Sequence, residues 1–257
     1  MQTKKITEKT SWGKVAEWYG TYLERGNNYQ KDVILPNLLR FLSLKEHENV
    51  LDLACGQGFF SREFTKTGAH VVGSDIAPEL IKEAEKGAHK MNFYVAPASN
   101  LLFAKNNQFD TVVSVLAVQN IEDILLTCTE VNRVLIPGGR FVVVLNHPAF
   151  RVLKRSSWGF DEKNNTQYRR VDGYLSAARV SINMHPGSKK TVNTTSYHRS
   201  LQDFFKAFAG AGFVVTRLEE WISQKKSNAG PRQKAENIAR KEILLFMAIE
   251  LRSPKGI

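Results

Sequence analysis

A run of small residues directly after a strand-like segment is the first place where this sequence could do chemistry. Val50–Ala54 predicts a buried strand, and the turn that follows it contains Gly56 and Gly58. Small residues let a ligand approach the main chain, and a helix that begins after such a turn directs backbone N–H groups at a carboxylate or phosphate. Asp75 ends the next predicted strand, where an acidic side chain can accept hydrogen bonds from both hydroxyls of a ribose. Turn and acid together predict a nucleoside-binding site.

Two histidines are the candidates for acid–base chemistry, because histidine is the side chain that titrates near neutral pH. His147 comes just after the fifth predicted strand, at the carboxyl edge of the sheet where ligands gather. His198 follows a strand of an inserted region and could face the same cavity. For each histidine the alternative is a structural role, in which the side chain only caps or packs.

An inserted segment from Trp158 to Arg199 mixes aromatic and cationic side chains. A lid of this composition could stack a ring and pair with an anion. The candidates for holding a substrate are Arg151, Trp158, Tyr168, Tyr197 and Arg199. A nucleic-acid surface uses the same residue types. No separate RNA-binding module accompanies them, so nucleic acid is possible as a partner but not favoured.

A parallel sheet wrapped by helices is needed to position these residues, and strand-like runs alternate with helical patterns as such a sheet requires. The predicted strands are Val50–Ala54, His70–Asp75, Asn92–Val95, Phe109–Leu116 and Arg140–Leu145. The predicted helices between them are Phe59–Thr67, Pro78–Lys86 and Ile121–Leu135. The fold class is therefore α/β, a Rossmann-like doubly wound sheet that is mostly parallel with an antiparallel last strand.

Further elements flank this core, and we expect all of them to belong to one domain. Residues 1–44 predict an N-terminal helical cap, residues 45–155 the ligand-binding core, residues 156–200 an inserted antiparallel β region that serves as a lid, and residues 201–257 the C-terminal part of the core. The predicted strands of the insert are Thr166–Val171, Ala178–Met184 and Thr191–His198. After it come a helix over Leu201–Ala209, a strand over Phe213–Leu218, a loop or exposed helix within Ser223–Lys241, and an apolar run over Ile243–Leu251.

Composition limits the class of protein. The 257 residues are 42% hydrophobic, which is ordinary for a globular chain. No apolar run is long enough for a membrane span, and the polar N-terminus is unlike a secretory signal, so we expect a cytoplasmic protein. The two cysteines show no metal-ligand spacing and are too few for a disulfide framework, so no metal site is indicated. The net charge of +11 favours anionic partners, but the basic residues are spread along the chain.

Four segments in order resemble the motifs of class I methyltransferases. Val50–Phe60 resembles the first motif, with Ala54 where the first glycine often stands, and Asp75 matches the ribose-binding acid. Phe109–Val113 resembles the fourth-strand signature, and Arg133–Phe141 resembles the segment that leads into the fifth strand. A dinucleotide-dependent dehydrogenase would need a third glycine at a position that this chain lacks. The resemblance is to enzymes acting on small molecules, of the ubiquinone and menaquinone biosynthesis type.

The resemblance implies S-adenosylmethionine as methyl donor and S-adenosylhomocysteine as product. The residues it implies for the donor are Tyr19, Tyr29, Asp52, Ala54, Cys55, Gly56, Gly58, Asp75, Ile76, Ala98, Ser99, Leu116 and Gln119. Asn120 follows these on the substrate side. Where relatives often carry an aspartate for the adenine amino group, this chain has Pro97, so the backbone near Ala98, the Ser99 hydroxyl, or packing against Ile76 and Leu101 would hold the adenine instead.

Three functions are open at this stage. The first is methyl transfer to an O or N atom of a small-molecule acceptor, in which the protein aligns the two reactants and excludes water, with His147 or His198 as a base. The second is methylation of RNA or protein by the same core. The third is a regulatory or scaffold protein that binds the donor without catalysis. The chain would act as a monomer or a homodimer.

Overall fold

The computed structural model describes residues 12–15, 28–86, 91–184 and 192–254. A seven-stranded sheet with the strand order β10-β11-β5-β4-β1-β2-β3 runs through this part of the chain. Its strands are β1 (Asn49–Leu53), β2 (His70–Asp75), β3 (Asn92–Val95), β4 (Phe109–Val115), β5 (Leu135–Asn146), β10 (Val214–Trp221) and β11 (Phe246–Arg252). Strand β11 runs antiparallel to both of its neighbours, and the other pairs are parallel. The predicted fold class, including the antiparallel last strand, is confirmed.

Six α-helices of seven to eleven residues lie within the described ranges and pack on this sheet and its hairpins. They are α1 (Leu35–Leu42), α2 (Phe59–Thr65), α3 (Pro78–Lys86), α4 (Ile124–Val134), α5 (Leu201–Gly210) and α6 (Gln233–Glu242). A π-helical turn over Gln30–Ile34 leads into α1, and a 3-10 turn covers Trp12–Val15. None of the helices in the described part of the chain is both long and apolar enough to cross a membrane.

Both faces of the sheet are buried, as the near-continuous apolar strands predict. Successive side chains of a strand point to opposite faces, and β5 shows this directly. Phe141 and Val143 belong to the core cluster that includes α4 and α5, whereas Val142 and Val144 belong to the cluster that includes α1 and α2. The chain order reverses between β1 and β4, and the crevice at the carboxyl ends of these two strands is where an open α/β sheet binds ligands.

Two separate β-hairpins make up the predicted insert. Strands β6 (Ser156–Asp161) and β7 (Thr166–Val171) form the first, and β8 (Ala178–Asn183) and β9 (Asn193–His198) form the second. Strand β6 is absent from the predicted elements, because its residues are half-exposed and lack an apolar alternation. The segment Ser223–Lys241, predicted as a loop or an exposed helix, is irregular up to residue 232 and helical from Gln233, where α6 begins and packs against β7.

Several predicted boundaries shift for identifiable reasons. Helix α4 begins at Ile124 rather than Ile121, because the Asp123 side chain caps it by accepting a hydrogen bond from the Leu126 N–H. Strand β5 begins before the predicted Pro-Gly-Gly break. There, Gly138 donates to the Ser253 carbonyl while Ser253 donates to the Gly139 carbonyl, so the break is bonded to the far end of the chain. Helix α2 ends at Thr65, two residues early.

Candidate active site

The turn after β1 is held in a left-handed backbone conformation at three positions. Ala54, Gly56 and Gly58 have φ angles of +57°, +58° and +75°. A Cβ at Gly58 would lie 2.9 Å from the Phe93 ring, so a side chain there has no room. A Cβ at Gly56 would meet nothing within 4 Å, so this part of the turn borders open space into which a ligand can approach the main chain.

Asp75 ties the end of β2 to this turn. One carboxylate oxygen accepts the Gly56 N–H at 2.9 Å, and the other accepts the Ala77 N–H at 2.9 Å. The carboxylate is buried, and burial raises its pKa from the ordinary value of an aspartate while these backbone hydrogen bonds oppose the shift. Each oxygen keeps a second lone pair, which is the acceptor capacity that the two hydroxyls of a ribose need.

Asp52, next to the last residue of β1, is also buried. Its Oδ2 accepts the Ser61 hydroxyl at 2.5 Å. Burial, together with the nearby charge of Asp75, raises the pKa of Asp52 to about 7. Burial, Asp52 and Asp75 also raise the pKa of the Cys55 thiol well above its usual range, which favours its protonated form. The Cys55 Sγ lies 3.6 Å from the Gly56 carbonyl oxygen. For Asp52 and Cys55 the contact with the donor stays a prediction.

The segment after β4 carries a second strained position. Leu116 has a φ of +54°, which is rare for a residue with a side chain, and its N–H is bonded to the Val144 carbonyl. A 3-10 turn over Val118–Asn120 follows, in which the Asn120 amide donates to the Leu116 carbonyl at 3.2 Å. The Gln119 Oε1 is buried and has no hydrogen-bond partner in the described structure. Such an acceptor is available to a ligand N–H or O–H.

The stretch predicted to hold the adenine is half-buried. Pro97 accepts a hydrogen bond from the Asn100 N–H at 3.0 Å and so closes a turn around Ala98 and Ser99. Ala98 packs against the core, and Ile76 is half-buried beside the turn that follows β2. Leu101 is fully buried in the core and presents no face to a ligand, so adenine packing against Leu101 is not available.

A cavity lies beside the carboxyl ends of β4 and β5, under the β8–β9 hairpin. It is lined by Gln119, Leu145, Asn146, Pro148, Arg151, Leu153, Ser196, Tyr197, His198, Arg199 and Phe204. The hairpin is fastened to the opposite wall by hydrogen bonds from the Ser196 hydroxyl to the Gln119 carbonyl (3.2 Å) and from the Tyr197 hydroxyl to Glu122 (3.1 Å). Five residues predicted from the sequence as site residues therefore line one cavity.

Part of the chain is similar to known proteins. Residues 51–143 match the family model described as a methyltransferase domain. The malonyl-[acyl-carrier protein] O-methyltransferase of Erwinia billingiae is 33% identical over 103 residues, covering 40% of this chain and 41% of that protein. The demethylmenaquinone methyltransferase of Streptomyces griseus is 35% identical over 96 residues, covering 37% of this chain and 41% of that protein. These matches concern one segment of the chain and identify residues 51–143 as a methyltransferase domain.

Solved structures extend the likeness beyond that segment as a likeness of fold. An S-adenosylmethionine-dependent methyltransferase from Mesorhizobium loti superimposes with a TM-score of 0.65 at 24% identity, covering 84% of this chain and 96% of that chain. One from Aquifex aeolicus gives a TM-score of 0.57 at 12% identity, covering 90% of this chain and 95% of that chain. The chain spans about two fifths of the length of the curated relatives it matches. The Mesorhizobium loti and Aquifex aeolicus proteins are both named as dependent on S-adenosylmethionine, which is also the cofactor that the motifs of this chain predict.

The residues present fit that cofactor. In the methyltransferase domain, the open space at Gly56 and the buried carboxylate of Asp75 stand at the crevice between β1 and β4. The hydroxyls of Ser74 and Ser114 are also buried and have no hydrogen-bond partner among the described residues, and they belong to strands β2 and β4 on either side of β1. Buried polar groups are normally satisfied, so orphaned groups mark places where a ligand or water completes the structure.

His147 is engaged at both ring nitrogens. The Ala149 N–H donates to Nδ1 at 3.2 Å, so the ring proton is on Nε2, which donates to the Glu220 carboxylate at 2.7 Å. The ring is buried, packs on Phe150 and does not line the cavity. In this arrangement His147 has no free nitrogen for a substrate, and the structural alternative fits it better than the role of a base.

His198 differs in the way that matters for proton transfer. Its Nε2 lies 2.7 Å from the Tyr174 carbonyl oxygen, which can only accept, so Nε2 carries a proton. In the neutral ring Nδ1 is then a hydrogen-bond acceptor, and none of the described residues donates a hydrogen bond to it. His198 lines the cavity together with Gln119.

The other predicted substrate residues divide between the cavity and the surface. Tyr197 and Arg199 line the cavity, and Arg199 stacks over the Tyr197 ring at 5.2 Å while it donates to the Ile121 carbonyl at 2.9 Å. Tyr168 is 48% exposed, lies over Gly159 and does not line the cavity. Trp158, also largely exposed, stacks on Arg169 on the opposite face of that hairpin.

Two tyrosines were predicted to close over the donor. Tyr29 stands at the start of the π-helical turn, makes an edge contact with Phe246 at 5.9 Å and has the Lys225 ammonium 4.7 Å from its ring centre. Tyr19 lies outside the described residues. For both tyrosines the contact with the donor stays a prediction.

Six residues that line the cavity were not predicted as site residues: Leu145, Asn146, Pro148, Leu153, Ser196 and Phe204. A sequence signal existed for Ser196, because Thr194, Ser196 and His198 alternate along β9 and share its buried face. No such signal existed for Phe204, whose place at the cavity depends on how α5 packs against α4.

Proposed function

We propose that the protein transfers a methyl group from S-adenosylmethionine to an O or N atom of a small-molecule acceptor bound in the cavity under the β8–β9 hairpin. The observation that carries this proposal is the cavity itself. It joins Gln119, from the segment after β4 that the motifs assign to the donor, to His198 and Tyr197 of the insert. A pocket with a few convergent polar groups is what a small-molecule site requires.

The residues of the chain would position the two reactants, limit water in the site and accept one proton. When bound, S-adenosylmethionine supplies an electrophilic methyl group on a positively charged sulfur. The turn around Gly56 and the Asp75 carboxylate would fix the donor, and the unpartnered Oε1 of Gln119 would orient an acceptor N–H or O–H. Nδ1 of His198 would take the proton that the acceptor oxygen or nitrogen loses. Residues 156–200 would act as the lid that limits water in the site.

Methylation of RNA or protein is the second candidate, and the net charge of +11 is the observation in its favour. A macromolecular substrate would require an open cleft with a continuous basic border. Instead, hydrogen bonds from β9 to Gln119 and Glu122 close one side of the cavity. The small-molecule acceptor therefore has the better support.

Donor binding is tested first, by titration calorimetry with S-adenosylmethionine and S-adenosylhomocysteine. The wild type should bind both, and Asp75→Ala should bind each about 10- to 100-fold more weakly, since a buried hydrogen-bonded contact is worth about 1–3 kcal/mol. Asp172→Ala, which removes an exposed carboxylate on the insert, is the matched control and should leave both affinities unchanged. Equal affinities in wild type and Asp75→Ala would refute the donor site.

The class of acceptor is tested by incubating the protein and a methyl-labelled donor with a cell extract, then separating small molecules by ultrafiltration. Label in a compound of the filtrate that chromatography separates from the donor, lost in the His198→Ala variant with donor affinity retained, would support the proposal. Label retained with the macromolecules and released by ribonuclease or protease would replace it with the second candidate.

A further inference from the structure

Two arginines beside the cavity are held close together by the fold. Arg151 follows β5 and lines the cavity, and Arg169 stands in β7. Arg169 donates from Nε to the carbonyl of Phe150, the residue before Arg151, at 3.0 Å. It also donates from Nη2 to the Ser156 hydroxyl at 2.8 Å and stacks on Trp158 at 5.2 Å. Arg169 is therefore fixed in place next to Arg151.

No carboxylate neutralises this pair among the described residues. Two other half-buried arginines each have one, since Arg140 pairs with Glu48 and Glu250 and Arg133 pairs with Glu130. The half-buried Arg62, Arg199 and Arg240 bond instead to backbone carbonyls or to a serine hydroxyl. Arg151 makes no side-chain hydrogen bond or ion pair within the described structure, and Arg169 bonds only to the Phe150 carbonyl and to Ser156. Both remain half-buried in spite of this.

The surroundings of the two guanidinium groups disfavour their charged forms. Burial lowers the pKa of the Arg151 guanidinium, and the Tyr29 hydroxyl is the group that opposes this shift. Burial also lowers the pKa of Arg169, and the charge of Arg151 lowers it further. Two cations that repel each other in a partly desolvated place cost free energy unless an anion joins them.

The donors left over match an oxyanion. The whole fork of Arg151 is unused, and Arg169 keeps its Nη1 group. The planar guanidinium binds carboxylate and phosphate through paired N–H groups. Arg151 lies in the same cavity as His198, so a ligand that fills the cavity can reach both.

We propose that Arg151 and Arg169 form an oxyanion-binding site, and that the methyl acceptor carries a carboxylate or phosphate group which this site holds. The second half of this statement rests on the proposed function. The acceptor is then a small molecule with an anionic group at one end and the O or N atom to be methylated near His198. The anionic group fixes its orientation in the cavity.

The test measures anion binding separately from donor binding. Inorganic phosphate and benzoate are titrated by calorimetry into the wild type and into Arg151→Met, with benzamide as the uncharged counterpart of benzoate. Arg170→Met is the matched control, because Arg170 neighbours Arg169 but is exposed and paired with Asp172. Binding of phosphate or benzoate, but not of benzamide, should weaken about ten-fold or more in Arg151→Met and stay unchanged in Arg170→Met. The anion that binds with the higher affinity indicates whether the acceptor carries a phosphate or a carboxylate group.

Thermal unfolding gives a second readout that a merely structural arginine would not show. Without added anion, Arg151→Met should unfold about 1–3 °C higher than the wild type, because the repulsion with Arg169 is gone. With saturating anion the order should reverse, because only the wild type is stabilised by the ligand. If Arg151→Met unfolds at a lower temperature than the wild type in the absence of anion, the inference that the Arg151 charge is unpaired and destabilising is wrong.

Saturating S-adenosylhomocysteine separates this site from the donor's own carboxylate. The acceptor site predicts that anion affinity persists in its presence and that Asp75→Ala retains it. Displacement of the anion by S-adenosylhomocysteine, no anion binding by the wild type, or equal weakening in Arg170→Met would each overturn the oxyanion site. Anion binding retained in a protein that binds no donor would keep the oxyanion site and refute the proposed function.

Discussion

At the scale of the residue, Asp52 is the group whose chemistry depends most on the fold. It is almost fully buried next to Asp75, and its one side-chain donor is the Ser61 hydroxyl. Its pKa is raised to about 7, from an ordinary value near 4 in the unfolded chain. The native state thus holds the proton more tightly than the unfolded state does, so the contribution of Asp52 to stability is largest below about pH 4 and is lost as the pH rises through 7.

Asp52→Asn removes this titration and keeps a side chain that can bond to Ser61. Between pH 5 and pH 8, the ligand-free wild type should lose about 3 kcal/mol of unfolding free energy relative to the variant, since one pKa unit corresponds to about 1.4 kcal/mol. Urea unfolding at both pH values measures this. Parallel pH profiles for the two proteins would show that Asp52 is not protonated in the folded state.

The two histidines show that the sequence alone can nominate a catalytic residue but cannot separate it from a structural one. Both follow strands and both were candidates for a base. His147 is engaged by Glu220, which belongs to a strand that pairs with neither β5 nor the turn after it. His198 is oriented by the Tyr174 carbonyl in the loop before β8. These partners are distant along the chain, so no local pattern could separate the two roles.

At the scale of the element, the two glycines of the turn between β1 and α2 have different roles. Gly58 is required mainly for stability, and we expect Gly56 to be required mainly for donor binding. Gly58→Ala would place a Cβ 2.9 Å from the Phe93 ring as well as force a left-handed φ. Gly56→Ala meets only the backbone penalty, about 1 kcal/mol, because the space beside it is open. We expect Gly58→Ala to be the less stable variant and Gly56→Ala to lose more donor affinity, because its methyl group enters the space proposed for the donor.

Urea unfolding and titration with S-adenosylhomocysteine on both variants measure the two effects. A Gly56→Ala protein that binds the product as well as the wild type does would place the donor elsewhere.

Helix α5 carries a second prediction for an element. Ser200 and Asp203 form a reciprocal cap at its first turn, in which each side chain bonds the other residue's backbone N–H. Ser200→Ala should cost about 1 kcal/mol of unfolding free energy, whereas the exposed Ser157→Ala should change it by a few tenths. Because Phe204 of this helix lines the cavity, the same variant should also weaken acceptor binding. An unaltered unfolding free energy would mean that the cap is not formed.

The core elements could be predicted from the sequence to within a few residues, because strands buried on both faces are continuous apolar runs that Gly and Pro interrupt. Strand β6 could not, since it is half-exposed and is specified by its pairing with β7. The early start of β5 depends on Ser253, more than a hundred residues away. The turn and the Asp75 carboxylate proposed for the donor come from two neighbouring strands, so a local sequence pattern could point to them. The cavity proposed for the acceptor is assembled from β9, α5 and the loop after β5, and no local pattern specifies that assembly.

At the scale of the whole molecule, the net charge of +11 attracts any polyanion, and this attraction has to be separated from a true substrate interaction. Spread-out basic residues bind nucleic acid through phosphate contacts that release counterions, so the affinity falls steeply with salt. If the acceptor is a small molecule, single-stranded RNA should bind at low salt, lose affinity by about a thousand-fold or more on raising the salt from 50 to 200 mM, and bind equally well to Asp75→Ala.

Fluorescence anisotropy with a labelled RNA, with and without S-adenosylhomocysteine, measures this dependence. The small-molecule proposal requires that the product does not change the RNA affinity, because the donor and a loosely attracted polyanion share no contacts. An RNA affinity that persists at 200 mM salt and increases when the product is bound would mean that the donor site and the RNA are energetically coupled. By reciprocity RNA would then tighten donor binding by the same factor, which is the behaviour of a substrate and would establish the second candidate function.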